Sequence, residues 1–352
     1  MTTRADMSAA LTLDPAAPTK SFVLEVHTHE PAAYLTDLVG RDAIEATDDA
    51  YLFQAHAGPH VFWVDQLDDR FWTFHTNMPT SDAFAFLRDR VEQRRDLDWM
   101  WLPSDHLRHA WPGGLSRQVR TSFQGEGFLG TDATAGDLKV QLSGRHADQL
   151  LDLISGDPRY NSAVSFDSVQ TTLTDTDLGS VTEGVNRMGR FAAVGDSFEL
   201  HLAFIRAVVL RYRRFVELCE QKAMGWECYA DGGGNLRGGP IGLKFSRQIP
   251  DLERFLGELL AVRRPFRLWG IPEIIDGVAQ VEAVDLHVGE RLRLDVGDDW
   301  MRIYLDEGSC GNTVARLVSN LQHHFDGALS LVDAELQEAS STKTKIAQSL
   351  LN

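Results

Sequence analysis

Apolar and polar residues alternate and then pass into helical spacing three times along this chain. Each passage predicts a short strand followed by an amphipathic helix, because side chains repeat every second residue in a strand and about every 3.6 residues in a helix. The apolar positions of the three passages are Phe22, Leu24, Val26, Tyr34, Leu35 and Leu38; Leu138, Val140, Leu142, Leu150, Leu151 and Ile154; and Ile241, Leu243, Phe245, Leu252, Phe255 and Leu256.

Further alternating segments follow, and each series closes on a second helical pattern, at residues 81–93, 198–222 and 313–325. Antiparallel hairpins with one packed face and one solvated face account for such alternation. The sequence therefore predicts an α+β fold of three consecutive strand, helix, antiparallel-strands and helix units, with curved sheets backed by helices. This order resembles TATA-binding-protein-like and helix-grip folds, a likeness of topology that implies no function.

The first and last of these units also resemble each other in sequence. Residues 61–96 align with residues 291–326 without a gap, and a D-x-x-D-D pattern coincides in the two segments. Repetition on this scale predicts a duplicated structural unit. The alternative is that any amphipathic hairpin followed by a helix resembles any other. The aligned aspartates are Asp65, Asp68 and Asp69 with Asp295, Asp298 and Asp299.

The pattern divides the chain into five predicted parts. They are a flexible leader at 1–20, a first α+β unit at 21–131 that includes a tryptophan-rich connector at 97–114, a second unit at 132–231, a third unit at 240–338 with an extended C-terminal helix, and a flexible tail at 339–352.

Composition narrows the class of protein. The 352 residues carry 34 Lys and Arg against 51 Asp and Glu, a net charge of −17 that disfavours binding to nucleic acid or anionic lipid. No apolar run reaches the roughly 18 residues of a membrane span, so we expect no membrane partner. The cysteines are Cys219, Cys228 and Cys310, without a C-x-x-C, which indicates free thiols and a cytoplasmic location.

Histidines in the first third suggest a metal site. His27 and His29 lie two apart on a predicted strand with Glu25 beside them, and His56 is a third candidate ligand. Such a set can hold zinc or another divalent metal with an open position for water. The alternative is that these histidines face solvent and bind nothing.

Arginines on the predicted helix 198–222 suggest a phosphate-binding face, made of Arg206, Arg211, Arg213 and Arg214. Arginine side chains on one face of a helix commonly bind phosphate groups. The alternative is a solvated face with ion pairs, since Arg213 and Glu217 have the i, i+4 spacing.

Two segments suggest a protein-binding surface. The connector 97–114 combines aromatic and cationic residues, a combination typical of interface hot spots, and apolar spacing continues beyond 325 on the predicted C-terminal helix. The alternative for the connector is a segment tucked against the sheet. The candidate residues are Trp99, Trp101, His106, Arg108, Trp111, Leu329, Val332 and Leu336.

Sequence motifs of known enzymes are absent: there is no G-x-S-x-G, H-E-x-x-H, kinase signature or phosphate loop. The leading hypothesis is therefore a non-enzymatic assembly subunit without a cofactor, in a cytoplasmic complex formed with a partner protein or by self-association; a bacterial defence system is one such setting. Two alternatives remain open. One is a metal-dependent hydrolase or nuclease using His27, His29 and a carboxylate, and the other is a nucleic-acid or nucleotide binder using the arginine-bearing helix.

Overall fold

The computed structural model describes residues 2–11, 18–66, 68–110, 116–130, 137–229, 232–262 and 265–342. The helices are α1 (Arg4–Ala10), α2 (Pro31–Val39), α3 (Thr80–Gln93), α4 (Ser104–Arg108), α5 (Glu126–Leu129), α6 (Ala147–Ser155), α7 (Phe198–Gln221), α8 (Leu252–Leu259), α9 (Asn312–His324) and α10 (Ala334–Ser341).

The strands are β1 (Thr19–Val26), β2 (Ile44–Ala46), β3 (Leu52–Ala57), β4 (His60–Asp65), β5 (Phe71–Thr76), β6 (Leu97–Trp99), β7 (Ser116–Phe123), β8 (Leu138–Ser143), β9 (Phe166–Asp175), β10 (Gly179–Asn186), β11 (Arg190–Gly195), β12 (Gly225–Cys228), β13 (Gly234–Arg237), β14 (Ile241–Lys244), β15 (Leu268–Ile275), β16 (Val278–Asp285), β17 (Arg291–Val296), β18 (Trp300–Leu305) and β19 (Ser330–Leu331).

Antiparallel sheets backed by helices confirm the predicted α+β class. The larger sheet has the order β2-β3-β4-β5-β1-β11-β10-β9-β7-β8, and β6 also pairs with β1. The smaller sheet has the order β15-β16-β17-β18-β14-β19. A separate two-stranded ribbon pairs β12 with β13.

The first and last thirds share one pattern of strand pairing. In each, a first strand precedes a helix and a four-strand meander, then pairs antiparallel with the last strand of that meander: β1 with β5, and β14 with β18. The middle third differs, because β8 pairs with β7 rather than with the closing strand β11. The origin of the three units by repetition stays a prediction.

Strand β1 lies at the centre of the larger sheet. It pairs with β5 on one edge, and with β11 and β6 on the other. All eight of its residues are buried, including the polar Ser21 and Glu25. These two side chains share a face, because positions four apart in a strand point to the same side. Helix α7 contributes one residue near each end of this face. His201 forms a hydrogen bond with Ser21, and Glu220 accepts a hydrogen bond from Arg70, the neighbour of Glu25.

The N-terminal leader is not uniformly flexible, so that prediction is corrected for the described residues. Residues 4–10 form helix α1, which begins at a capping box of Thr3 and Asp6. Met7 and Leu11 are buried and tie the helix to the core. Side-chain burial offsets the entropy cost of ordering such a segment.

The extended C-terminal helix is also corrected, because helix α9 ends at His324 and separate elements follow. The chain turns at Asp326, whose carboxylate accepts hydrogen bonds from the backbone N–H and the hydroxyl of Ser246. Gly327 packs so closely that a Cβ there would lie 2.5 Å from the carbonyl oxygen of Val164. The apolar residues Leu329 and Leu336 beyond this turn are buried, so the apolar spacing continues although the helix does not. Of the predicted tail, residues 339–342 are described and 343–352 lie outside the described residues.

Helix α10 depends on Asp333, which yields a stability prediction. Its side chain accepts hydrogen bonds from the backbone N–H groups of Glu335 and Leu336, and Lys222 donates to it at 2.6 Å. Asp333→Ala is expected to lower the free energy of unfolding by about 1–2 kcal/mol, through loss of the cap. Urea denaturation measures the change. Glu335→Ala, in the same turn, is the control and should change stability by less than about 0.5 kcal/mol; equal effects of the two variants would contradict the capping role.

Candidate metal centre

Glu25 is the hub of a mixed cluster of metal-ligating side chains. One donor atom from each of Glu25, His27, His287 and Cys310 lies within 4.8 Å of the others. Cys310 Sγ is 3.3 Å from Glu25 Oε2, His287 Nε2 is 3.1 Å from the same oxygen, and His27 Nε2 is 3.5 Å from Glu25 Oε1. Glu25 and His287 are fully buried, and Cys310 is 3% exposed.

The four donors reach this point from three places in the chain. Glu25 lies in β1 and His27 directly follows it, so both point to one side of the sheet. His287 follows β16 in a turn where its backbone N–H donates to the carboxylate of Asp285. Cys310 stands two residues before α9, so the start of that helix fixes its position.

Arg70 and Glu220 complete the charges around the cluster. Arg70 donates from Nε to Glu25 Oε1 at 2.6 Å and from Nη2 to Glu220 Oε1 at 2.6 Å. Its turn is held by Asp68, whose carboxylate accepts the backbone N–H groups of Arg70 and Phe71. This is the turn role that the D-x-x-D-D pattern suits.

The buried charges shift the pKa values of two members in opposite directions. Burial by itself raises the pKa of Glu25, but the Arg70 guanidinium and the adjacent imidazoles of His27 and His287 hold the pKa of this carboxyl well below its usual value. Burial raises the pKa of the Cys310 thiol well above its usual value, and the negative charge of Glu25 adds to that rise. The protein thus stabilises a carboxylate beside a neutral thiol.

The donor set fits a divalent transition metal, with zinc the closest match. Ligand atoms on a tetrahedral zinc ion lie about 3.2–3.8 Å apart, so donor atoms that lie within 4.8 Å of one another would draw together by up to about 1 Å on binding. Within the part of the chain that is described, the buried His27 Nε2 has no hydrogen-bond partner, and it lies 3.5 Å from Glu25 Oε1. Such an orphaned nitrogen is costly without a ligand. His287 faces Glu25 with Nε2, and its own unpartnered nitrogen is Nδ1.

Charge balance supports the same conclusion. Without a cation, Glu25 and Glu220 carry two negative charges near the single positive charge of Arg70. A divalent cation with the thiolate of Cys310 would bring three negative and three positive charges together. Coordinated thiols are deprotonated, so the high pKa of the free thiol does not oppose this state.

A cavity of about 480 Å³ opens beside the cluster. His27 and Cys310 line it, together with Arg70 and Glu220. His287 is fully buried and lies behind them. A small molecule in this cavity therefore reaches the exposed side of the cluster.

The sequence identified part of this site. His27 belongs to the cluster, and His29 lines the adjacent cavity without being one of the four donors. His56 is not in the cluster: it lies on β3, 3.4 Å from Glu45 Oε1. The missed residues, His287 and Cys310, are 262 and 285 positions from Glu25, and neither stands in a motif that the sequence could have offered.

The predicted phosphate-binding arginines have different environments. Arg211 is buried and donates to the backbone carbonyls of His109 and Thr342, so it is removed from the basic face. Arg213 pairs with Glu217 at 2.8 Å, as its spacing suggests, and also with Asp69 at 2.7 Å. Arg214 is exposed, and Arg206 lines a different cavity, described below.

Most of the predicted partner-binding residues lie inside the protein. Trp99, Trp101 and His106 are at most 4% exposed, because β6 pairs with β1 and draws the connector under the sheet. They are therefore corrected to core residues. Arg108 pairs with Asp152 on the surface, and Trp111 lies outside the described residues.

The C-terminal candidates divide in the same way. Leu329 and Leu336 are buried within the chain, which corrects their assignment to a partner surface, whereas Val332 is 66% exposed. Among the described helices, none is both long enough and apolar enough to cross a membrane.

Comparison with known proteins places the whole chain in one family. A relative from Methanocaldococcus jannaschii, the uncharacterized protein MJECL33, is 24% identical over 360 residues, which cover 87% of this chain and 84% of the relative. A family model described as MJECL33-like protein matches residues 15–340, nearly the full length. The chain belongs to the MJECL33-like protein family.

Proposed function

We propose that this protein is a metal-dependent hydrolase, in which His27, His287 and Cys310 hold a divalent cation and Glu25 acts as the neighbouring base. The observation that carries the proposal is the convergence of four donors, with the unpartnered His27 Nε2 among them in the described part of the chain and an adjoining cavity. Zinc is the cation that two imidazoles and a thiolate suit best.

The surroundings of the cluster support a catalytic role over a purely structural one. Structural zinc sites are closed by four protein ligands, whereas catalytic sites have three and an open position. Here two of the three proposed ligands line a cavity. The cation would act as a Lewis acid and lower the pKa of a water molecule.

Glu25 is placed to accept a proton beside the cation. Its carboxylate lies within 3.5 Å of a donor atom of each proposed ligand, and Arg70 keeps it ionised. A base must stand within hydrogen-bond reach of the proton that it takes. In the part of the chain that is described, Glu25 is the carboxylate that belongs to the cluster. Arg70 also lines the cavity, and its guanidinium donates to Glu25, Glu220 and Cys310, which ties the charges around the cluster together.

The alternative hypothesis of a non-enzymatic assembly subunit has less support from the geometry. It was drawn from the repeated units and the absence of enzyme motifs, and of its candidate partner surface Trp99, Trp101 and Leu336 are buried. The nucleic-acid hypothesis likewise loses Arg211 from its binding face. Both stay untested predictions beside the metal-dependent reaction.

Metal analysis of the purified protein tests the proposal. We expect about one zinc ion per chain by inductively coupled plasma mass spectrometry after incubation with zinc and desalting. His287→Ala removes a proposed ligand and should weaken the apparent affinity for zinc at least tenfold, which lowers the measured occupancy. His56→Ala is the matched control and should keep full occupancy, because His56 lies outside the cluster.

Hydrolysis assays then test the catalytic part. Chromogenic phosphodiesters, phosphomonoesters and carboxylic esters form the panel, each assayed with chelator and after zinc is restored. Glu25→Gln should keep the metal and lose at least a hundredfold in kcat, in the range expected of a general base. A wild-type protein that takes up no stoichiometric metal, or one whose hydrolysis is indifferent to chelator, would overturn the proposal.

A further inference from the structure

A second set of buried polar residues lies at the other end of β1. Ser21 Oγ forms hydrogen bonds of 2.7 Å with His75 Nδ1 and 2.7 Å with His201 Nε2. His201 Nδ1 is 2.8 Å from Glu183 Oε1. These four residues are at most 1% exposed and form one continuous hydrogen-bonded chain.

Strand pairing and a helix start bring the four residues together. Ser21 on β1 is directly opposite His75 on β5, and Glu183 lies on β10, two strands away from β1. Helix α7 begins at Ser197, whose side chain accepts the backbone N–H of Leu200 and so fixes the first turn that carries His201.

The chain of hydrogen bonds ends at a cavity of about 230 Å³ between β5 and α7. His75 lines this cavity. Its Nδ1 is used by Ser21, and its Nε2 has no hydrogen-bond partner in the described part of the protein. The walls are mainly apolar, formed by Phe71 of β5 and by Leu202, Ile205 and Val209 of α7.

The charges around this cavity leave one arginine available. Asp65 accepts a hydrogen bond from Arg4 at 3.0 Å. Asp68 accepts one from Arg213, also at 3.0 Å. Arg206 lines the cavity, and within the described ranges it has neither an ion pair nor a hydrogen bond. Each carboxylate is thus paired with another cation, although Arg4 also pairs with Asp49 and Arg213 also pairs with Asp69 and Glu217. The guanidinium of Arg206 is the cationic group that is left for a ligand in this cavity.

We propose that this cavity binds a small monocarboxylate with an apolar body, held by Arg206 and by His75, whose proton is supplied through Ser21, His201 and Glu183. The carboxylate pairs with the guanidinium, and the apolar body lies against Phe71, Ile205 and Val209. The volume is below the roughly 300–1,000 Å³ of sites for drug-sized ligands, which restricts the ligand to a short aliphatic or single-ring acid. The site is separate from the metal cluster and does not depend on it.

The hydrogen-bonded chain has two possible arrangements of protons. When Glu183 is ionised, His201 donates to it, Ser21 donates to His201, and His75 donates to Ser21, which leaves His75 Nε2 as an acceptor. When the Glu183–His201 pair takes up one proton, His201 donates to Ser21 and Ser21 donates to His75 Nδ1, and His75 Nε2–H becomes a donor towards the cavity. A carboxylate accepts hydrogen bonds, so it selects the second arrangement.

Burial of the four residues favours the change between these two arrangements. Burial raises the pKa of Glu183, against the opposing effect of His201, and so favours the protonated form more than in water. Burial, with the positive charges of Arg206 and Arg4, lowers the pKa of His75 well below its usual value, so the ring itself stays neutral. The proton taken up on carboxylate binding therefore resides on the Glu183–His201 pair and not as a second charge on His75.

Ligand binding and pH are linked by this proton. Because the bound state holds one more proton than the free state, the affinity for a carboxylate should rise as pH falls, by up to about tenfold per pH unit. The ligand itself stays ionised over the range from about pH 8 to about pH 6, since carboxyl groups have pKa values near 4. A simple ion pair with Arg206 would show no such dependence.

Isothermal titration calorimetry of the full-length protein with hexanoate tests the proposal. We expect saturable binding of one hexanoate per chain, tighter at pH 6 than at about pH 8, with proton uptake revealed by buffers of different ionisation enthalpy. Hexylamine and 1-hexanol should bind at least about tenfold more weakly, because neither pairs with a guanidinium.

Variants separate the two parts of the site. Arg206→Gln should weaken hexanoate binding about tenfold or more, whereas Arg214→Gln, an exposed arginine on the same helix, should leave it unchanged. Glu183→Gln supplies an N–H donor to His201 without titrating and should bind hexanoate with an affinity independent of pH. Because Glu183→Gln alters a buried residue, circular dichroism must first show a wild-type fold, and Arg206→Gln decides the binding part on its own.

Three results would overturn the proposal. They are no saturable binding of hexanoate to the wild type, equal losses in the Arg206→Gln and Arg214→Gln variants, or an affinity that falls as pH falls. Loss of metal binding or hydrolysis in cluster variants has no bearing on these outcomes, so this site and the metal-dependent reaction fail or stand separately.

Discussion

Replacing Arg316 by methionine is expected to lower the free energy of unfolding by about 3–5 kcal/mol. Arg316 is fully buried in α9, where its guanidinium pairs with Asp98 and Asp285 and Nε donates to the carbonyl of Phe266 at 3.0 Å. Methionine preserves the aliphatic stem but removes the cation, which leaves two buried carboxylates. One partial replacement remains, because Arg267 Nη1 is 3.5 Å from Asp98 Oδ1.

Chemical denaturation measures this loss, and two further variants interpret it. Arg237→Met breaks an ion pair with Glu307 that is more than half exposed, and should cost less than about 1 kcal/mol. Combining Arg316→Met with Asp98→Asn and Asp285→Asn should recover part of the lost stability, because the uncompensated charges are removed. If Arg316→Met costs no more than Arg237→Met, the buried pairs do not stabilise the fold as described.

Zinc is expected to stabilise the wild-type protein strongly against heat, and this stabilisation should disappear in Cys310→Ser. The proposed ligands join β1 to two loops of the C-terminal third, so a bound cation would link parts of the chain that separate on unfolding. A ligand at a thousand times its Kd contributes about 4 kcal/mol, which corresponds to a rise of several degrees in Tm. Serine lacks the soft thiolate that zinc prefers.

Differential scanning calorimetry with chelator and with zinc measures the shift. Cys228→Ser is the matched control, since Cys228 is an exposed free cysteine in β12 and should leave the zinc-dependent rise unchanged. An equal rise in the wild type and in Cys310→Ser would show that zinc stabilises the protein at some other place and would remove Cys310 from the site.

The sequence predicted the elements better than their connections. Alternation followed by helical spacing correctly indicated β1 with α2, β8 with α6 and β14 with α8, because these periods are local properties of strand and helix geometry. The same reasoning wrongly extended α9 into a longer helix, because apolar spacing continues past Phe325. The buried carboxylate of Asp326 and the close packing of Gly327 stop the helix there, and both depend on residues far away in the chain.

The candidate site shows the same division. Alternation on β1 placed Glu25 and His27 on one side of a strand, and half of the metal cluster could be named from that pattern alone. His287 and Cys310 carry no local signal, because their role depends on how the C-terminal third lies against β1. The buried Ser21 and His201 went unnoticed for the same reason: a polar residue in an apolar strand has meaning only when its partners are known.

Only the burial of each side chain showed which aromatic residues belong to the core and which to the surface. Trp99 and Trp101 are of a residue type that is common in binding surfaces, but the pairing of β6 with β1 places them in the core of the protein. What the sequence by itself determined was the α+β class, the order of most elements and the acidic net charge, since each follows from residue type and short-range period. Only the tertiary structure decided which buried polar groups meet at the two ends of β1, because contacts between distant segments depend on the whole chain folding around that strand.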